Sequence, residues 1–306
     1  MVEVAAIGDN ITDCFVDFGL MFPGGNAVNV SVQAARAGCQ SAYVGVVGDD
    51  PRGGLLRDAL LIEAVNVDKL HVRSGETAFV DVRHVEGERV FERMDRGVSL
   101  LEPSREDLQF ASSAQIVHTT YCSGMEDSLA MLASSTHVSF DFDTHLADDY
   151  AQDVIQNVWA AEFSASGLDN LECESLLRWA ISSGATHAFA TRASLGAVYF
   201  DGHQFFAVAA EQIEPVDTLG AGDAFIGRTL CGLLRNESPL SFLTAGVSAA
   251  SRACQHQGGF GHGVPVPTSH RTSAEPSDTV GVRDNALLNT GPGPTSLGAH
   301  GAAGPA

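Results

Sequence analysis

The chain has 306 residues, 44% of them hydrophobic, and carries 38 acidic against 17 basic side chains, for a net charge of −21 and a pI near 4.7. That length supports one large α/β domain, or a main domain with a small accessory one, and excludes a mostly disordered chain. So much negative charge, with no basic run to neutralise phosphates, argues against nucleic acid and membrane surfaces as partners. Apolar runs fall short of the roughly 20 residues a membrane span needs, and Met1 leads into a strand pattern without a basic leader, so the expected location is the cytoplasm. The six cysteines (Cys14, Cys39, Cys122, Cys173, Cys231, Cys254) show no metal-binding spacing and read as buried free thiols. Lys69 is the single lysine, which leaves no residue for a Walker A loop or the strand lysine of a protein kinase.

In chain order, Val2 to Gly8 reads as a buried strand opening into a polar loop, Ala27 to Ala37 as a helix stopped by Gly38, and Ala42 to Val47 as the next strand. Asp50-Pro51 then supplies an N-cap and first-turn proline for a second helix. Thr77 to Val85 alternates with period two, turns at 86–88 and resumes over Arg89 to Met94, a hairpin that interrupts the α/β alternation. Ser104 to Asp107 resembles a capping box, and strands follow at Gln115 to Thr119, Val138 to Phe142, Ala160 to Ser164 and His187 to Thr191, separated by helical patterns. A second hairpin spans 196–208, and Ala221 to Leu234 and Leu240 to Gln255 read as packed helices. The globular part is expected to end near Gly261. From His262 to Ala306 the composition turns to Gly, Pro, Ser, Thr and Ala and predicts a disordered tail.

The sharpest local signal is Asp217-Thr218-Leu219-Gly220-Ala221-Gly222-Asp223-Ala224-Phe225, a glycine-rich turn running into an amphipathic helix. Small residues at 220–222 let main-chain N–H groups approach an anion at the positive end of the helix dipole. Asp223 is out of place beside a polyphosphate unless it takes a proton from an attacking hydroxyl, which points to phosphoryl transfer; from this segment alone it reads equally as a helix cap. Asp141 and Asp143 alternate in phase near a strand end and serve either a crevice or a solvated face. His118 on an apolar strand, Trp159 and Trp179 read as core, and His256 with His262 is a weak metal signal.

Two stretches carry a family likeness. Pro23-Gly24-Gly25-Asn26-Ala27-Val28-Asn29-Val30 and the segment from Asp217 to Phe225 resemble the N- and C-terminal signatures of the ribokinase-like (PfkB) carbohydrate kinases. Gly8 to Asp13, Val47 to Gly53 and the hairpin from Thr77 to Met94 also fit, so the likeness spans roughly residues 1–260. It implies a ribokinase-like three-layer α/β/α sandwich over 1–261 with a mainly parallel sheet and a small β lid from about 11–17 and 77–94. It also implies ATP as phosphoryl donor, Mg²⁺ on the phosphates, Asp223 as general base and Gly220, Ala221 and Gly222 as anion hole. Asp13, Gly25, Asn26 and Asn29 match sugar-binding positions, and Asp9 shares their strand exit; singly, Asp9 and Asn10 also read as an Asx turn and Asn29 as a helix-start residue. Thr191, Gly196 and Thr218 fall on the nucleotide side, where Ala193 replaces the usual middle glycine. The family's N-x-x-E element lacks its strict form around 164–172, leaving the metal ligands unassigned. Lids in this family also pair between subunits, which implies a homodimer. Within the family, IGDN-x-x-D, GGNAVNV, VGDD, RVF, IVH and FDF resemble members that phosphorylate fructoselysine at its 6-hydroxyl, so a fructoselysine-like Amadori compound is the expected acceptor. The alternatives are a kinase of another sugar, sugar acid or nucleoside, and a non-catalytic sugar- or nucleotide-binding regulator on the same fold.

Overall fold

The computed structural model describes residues 2–85, 88–268 and 270. Its chain order begins β1 (Val4–Ile7), β2 (Ile11–Phe15), β3 (Leu20–Gly24), α1 (Asn26–Arg36), β4 (Ser41–Gly48), α2 (Pro51–Ile62) and β5 (Asn66–Arg73). The hairpin β6 (Thr77–Val85) and β7 (Glu88–Gly97) follows. Alternation resumes with α3 (Arg105–Ser112), β8 (Ile116–Thr120), α4 (Glu126–Ala133), β9 (His137–Asp141), α5 (Asp149–Val154), β10 (Ala160–Ser164), α6 (Asn170–Ser182) and β11 (His187–Thr191). A second hairpin, β12 (Ala197–Phe200) and β13 (Phe205–Val208), precedes α7 (Ala221–Leu234), α8 (Pro239–Ala253) and β14 (Val264–Pro265).

Local chemistry accounts for several of these boundaries. Asp50 accepts the Gly53 N–H ahead of Pro51 and starts α2. Ser104 and Asp107 accept each other's backbone N–H, a complete capping box that starts α3. β3, β5 and β14 escape sequence reading for physical reasons. β5 is mostly half-buried or exposed and has no continuous apolar run, β3 contains Pro23, and β14 has two residues, one of them Pro265.

The main sheet has nine strands in the order β13-β12-β11-β10-β9-β8-β1-β4-β5. Neighbours from β11 to β5 run parallel, and the β12–β13 hairpin adds the antiparallel edge. Alternate residues of β1 serve opposite faces. Ala5 and Ile7 pack with Leu108, Leu129, Leu132, Val154 and Leu177, so α3 to α6 cover one face. Ala6 packs with Val28, Leu56 and Leu60, while Phe189 and Tyr199 meet Phe225, Leu230 and Phe242, so α1, α2, α7 and α8 cover the other. The result is the expected three-layer α/β/α sandwich with a mainly parallel sheet.

A five-stranded sheet, β14-β3-β2-β6-β7, stands apart from the sandwich. It contains the expected lid segments and adds β3 and Val264–Pro265, the latter paired antiparallel to Met21 and Leu20. Packing therefore continues beyond Gly261, with Val266 buried and His270 against Asp81 and Arg52. Residues 271–306, where sequence predicts most of the tail, lie outside the described residues.

The cysteine expectation needs correction. Cys39, after α1, and Cys231, in α7, form a disulfide with Cα atoms 6.3 Å apart, whereas Cys14, Cys122, Cys173 and Cys254 are free. The contact of α1 with α7 brings together residues 192 positions apart, which no sequence spacing reveals. Trp159 and Trp179 are half-buried at the margins of the two core faces. Among the described residues no helix is long and apolar enough to cross a membrane.

Candidate active site

Every loop that supplies the site leaves the carboxyl edge of the parallel sheet, where strand order places a crevice. Asp9 follows β1, Tyr121 to Ser123 follow β8, Asp141 ends β9, Ser164 ends β10 and Thr191 ends β11. The lid closes over one side of this crevice, with Phe91, Met94 and Arg96 of β7 facing it.

Two cavities lie there. The first, about 340 Å³, is bounded by the lid, Asp9, Asp13, Gly25, Asn26, Asn29, Asp141, Asp143 and Asp223. The second, about 470 Å³, is bounded by Thr191, Gly196, Thr218, Ala221, Phe225, Val247 and Ser251. Ser164 and Gly222 line both, so the cavities meet at the first turn of α7, with Asp223 on the lid side of the junction. The residues expected for sugar and for nucleotide are thus sorted into separate compartments. Gly220 lines neither cavity.

The glycine turn is held from below by Asp217, whose carboxylate accepts N–H groups from Leu219 at 3.0 Å and Gly258 at 3.0 Å. Gly220 caps α7 at φ 74°, and a Cβ there would lie 2.7 Å from the Gly259 Cα, so this position requires glycine on two counts. Gly222 differs: a Cβ would meet nothing within 4 Å, because the space belongs to the cavities. At a helix start the N–H groups of residues 222 and 223 have no acceptor one turn back, and both residues border the cavities. The Ala221 N–H is instead drawn to the Thr218 carbonyl at 3.3 Å.

Asp223 is gripped by two amides from α1. Asn26 Nδ2 donates to its Oδ1 at 2.9 Å and Asn29 Nδ2 to its Oδ2 at 2.6 Å. Asn26 Nδ2 also donates to Asp141 Oδ2 at 2.6 Å. Burial pushes the Asp223 carboxyl well above the usual carboxylate range; the Asn29 hydrogen bond opposes that rise, and the charges of Asp141, Asp9 and Asp143 add to it. Burial also lifts Asp141, to about 7, with Asp143 beside it adding to the rise. Raised proton affinity makes Asp223 a better proton acceptor from an alcohol than an ordinary surface carboxylate.

Asp9 is committed locally. Its oxygens accept the N–H groups of Asn26 at 2.8 Å and Ala27 at 3.1 Å, and the Ser123 hydroxyl at 3.0 Å, so it caps α1 from the neighbouring strand while forming part of the cavity wall. Asn10, also on the cavity wall, donates from Nδ2 to the Tyr43 hydroxyl at 3.0 Å and the Val46 carbonyl at 2.8 Å. Gly25 takes φ 106° with Asn10 Cα 2.6 Å from where a Cβ would stand, which lets the chain enter α1 against the β1 loop. Asn29 Oδ1 is buried without a hydrogen-bond partner.

On the nucleotide side Ala193 holds φ 47°, so the alanine adopts the left-handed conformation that a glycine would take without strain. Sequence reasoning missed Arg192, which is buried and donates to Asn170 Oδ1 at 2.6 Å and the Leu168 carbonyl at 2.8 Å, pinning the loop after β10. It also missed Tyr121, Cys122 and Ser123; their place directly after an apolar strand is the signal that marks them as crevice residues. Among the described residues, the one group of three His, Cys, Asp or Glu side chains close enough to share an ion is Cys14, Asp81 and His270, outside both cavities. Arg52 reaches His270 and Arg93 reaches Asp81, so cations of the protein already fill that cluster.

Comparison with known proteins agrees with this arrangement. The pfkB family carbohydrate kinase model matches residues 19–265. The fructosamine kinase FrlD of Bacillus subtilis is 34% identical over 279 residues, covering 90% of this chain and 98% of that protein. Fructoselysine 6-kinase of Escherichia coli is 30% identical over 262 residues, covering 85% of this chain and 100% of that protein. In fold, the ribokinase of Arabidopsis thaliana solved with ribose and ATP superposes with a TM-score of 0.73 at 17% identity, over 85% of this chain and 95% of that one. A putative ribokinase II of E. coli solved with ATP and Mg²⁺ gives 0.73 at 18% identity, over 85% and 95%. The match runs from the lid strands through both glycine signatures to the last strand, and the chain belongs to the pfkB family of carbohydrate kinases.

Proposed function

We propose that this kinase transfers the γ-phosphoryl group of ATP, carried with Mg²⁺, to the 6-hydroxyl of fructoselysine or a closely related fructosamine in the cytoplasm. The observation that carries the reading is the junction of the two cavities at Gly222, with Asp223 on the acceptor side. The acceptor hydroxyl oxygen bonds to the γ-phosphorus, the bond from that phosphorus to the bridging oxygen breaks, ADP departs, and the hydroxyl proton passes to the Asp223 carboxylate. Main-chain N–H groups and the dipole at the start of α7 stabilise charge on the migrating group, so a lysine is not needed. Mg²⁺ carried on the phosphates would supply positive charge to offset theirs, and such a cation binds through phosphate and carboxylate oxygens and water.

The acceptor class rests on charge. Asp9, Asp13, Asp141, Asp143 and Asp223 line the lid-side cavity against one arginine, Arg96. An Amadori sugar carries a secondary ammonium next to its polyol, and such a wall attracts it more than it attracts a neutral hexose. The names of the two relatives above support the same class. Asn29 Oδ1 and Asp13 are the groups assigned to sugar hydroxyls. β7 is the lid's outer strand, and its edge is where a second copy pairs to form the inferred homodimer.

A turnover screen with fructoselysine, fructose, ribose, 2-keto-3-deoxygluconate and nucleosides tests the acceptor: fructoselysine gives the highest kcat/KM, and a rate at background rejects it. Asp223→Asn lowers kcat by roughly 10²- to 10⁴-fold while fructoselysine binding persists. Unchanged kcat rejects Asp223 as base.

A further inference from the structure

Behind the catalytic carboxylate lies a file of buried polar side chains that the reaction itself does not touch. His118 and Ser139, on adjacent strands β8 and β9, are fully buried, and Glu162 on β10 is 2% exposed. Ser139 Oγ lies 2.7 Å from His118 Nδ1 and 3.1 Å from Glu162 Oε1, and His118 Nε2 lies 2.9 Å from Asn26 Oδ1. Glu162 Oε2 has no hydrogen-bond partner. A buried carboxyl with so few donors is costly, and the packing of an α/β sandwich does not call for one.

The hydrogen bonds of this file can be followed outward from the site. Asn26 faces Asp223 and Asp141 on one side, so the atom it presents to them must be its donor, Nδ2, leaving Oδ1 towards His118. His118 Nε2 must then carry a proton. Burial pulls the imidazole down to about 3, so it is neutral and Nδ1 is an acceptor. The hydrogen between Nδ1 and Ser139 therefore belongs to the serine hydroxyl. Ser139 Oγ also lies 3.1 Å from Glu162 Oε1, which continues the file to β10; burial, followed by the charge of Asp141, pushes the Glu162 carboxyl well up.

We propose that His118, Ser139 and Glu162 are positioning residues for phosphoryl transfer, a hydrogen-bonded file that ends in His118 Nε2 against Asn26 Oδ1 and so locks the Asn26 amide with both N–H groups on Asp223 and Asp141. Without the lock, the Asn26 amide can turn over and set Oδ1 against the Asp223 carboxylate. That repulsion drives a proton onto Asp223 and removes the base. The inference rests on the reading of Asp223 as base.

The test compares kcat, KM for both substrates and the pH profile of kcat/KM for wild type, His118→Phe, His118→Gln and Ser139→Ala. The assay uses MgATP with fructoselysine or, if wild type prefers another sugar of the screen, with that sugar. His118→Phe keeps a ring but loses the donor; His118→Gln restores an N–H aimed at Asn26. Loss of one hydrogen bond that supports a charged group is worth roughly 10- to 100-fold, and that is the fall in kcat expected for His118→Phe, with KM for ATP within about twofold because the file does not border the nucleotide cavity. The acid limb of the profile moves to higher pH, since Asp223 loses a donor to its charged form; the other groups facing it are Asn29 on α1, Asp9 after β1, Cys122 after β8, and Asp141 and Asp143 at the end of β9. His118→Gln recovers most of the loss. Ser139→Ala gives a smaller fall in the same direction and carries the test if His118→Phe does not fold. A His118→Phe kcat within threefold of wild type overturns the inference, as does an equal defect in His118→Gln with the acid limb unmoved. Asp223→Asn assayed in parallel separates the two readings: an active Asp223→Asn overturns the base, whereas an inactive Asp223→Asn beside an active His118→Phe overturns the file alone.

Discussion

Replacing Gly222 by alanine separates catalysis from folding within one turn of α7. No atom lies within 4 Å of the added Cβ, and Gly222 has no positive φ, so the methyl group strains nothing in the protein. Glycine in a helix costs about 0.5–1 kcal/mol relative to alanine, so Gly222→Ala is as stable as wild type or more so by up to about 1 kcal/mol. For a domain of this size that is a rise in Tm of up to about 2 °C. The same methyl enters the space shared by the two cavities, where the proposed reaction sets the migrating phosphoryl group beside the N–H groups of α7. Displacing one charge-assisted hydrogen bond there is worth about 1.5–3 kcal/mol, a fall of roughly 10- to 100-fold in kcat/KM for ATP. Thermal melting and steady-state kinetics on one preparation read both effects. Gly220→Ala is the control with the opposite stability sign, because it places a Cβ against Gly259 in a left-handed backbone. Wild-type kcat/KM in Gly222→Ala, or a Tm drop like that of Gly220→Ala, refutes the placement of the transferred group.

Other perturbations follow from the same geometry. Asp141 has its proton affinity raised to about 7 from 3.8, so the folded state binds its proton more tightly than the unfolded chain and loses stability as pH climbs through that window. The Tm difference between Asp141→Asn and wild type is therefore more positive at pH 8 than at pH 5, and the acid limb of kcat/KM shifts to lower pH as Asp223 sheds a neighbouring charge; equal Tm differences at both pH values refute the assignment. Asp217→Ala unpairs the Leu219 and Gly258 N–H groups, costs about 1–3 kcal/mol in urea unfolding and raises KM for ATP, because the glycine turn loses its tether. Ala193→Gly relieves a left-handed alanine and raises stability by up to about 1 kcal/mol in the same unfolding assay.

Much of this molecule is legible in local sequence, because its determinants are local. The buried strands are continuous apolar runs, the helix starts at Asp50 and Ser104 are written within four residues, and the small residues from Asp217 to Asp223 mark a glycine-rich helix start. Those signals suffice for the α/β alternation and draw attention to Asp223, whereas Asn26 and Asn29 stand out only through the family likeness. What they leave open is pairing across distance. The Cys39–Cys231 bond, the capping of α1 by Asp9, the joining of residues 264–265 to the lid and the collection of five aspartates around one cavity all depend on which elements become neighbours. His118 is the clearest case. Its sequence neighbours say only that it lies on an apolar strand, and its partners come from β9 and α1, so the orientation of its proton is decided by side chains that meet only once three layers have packed.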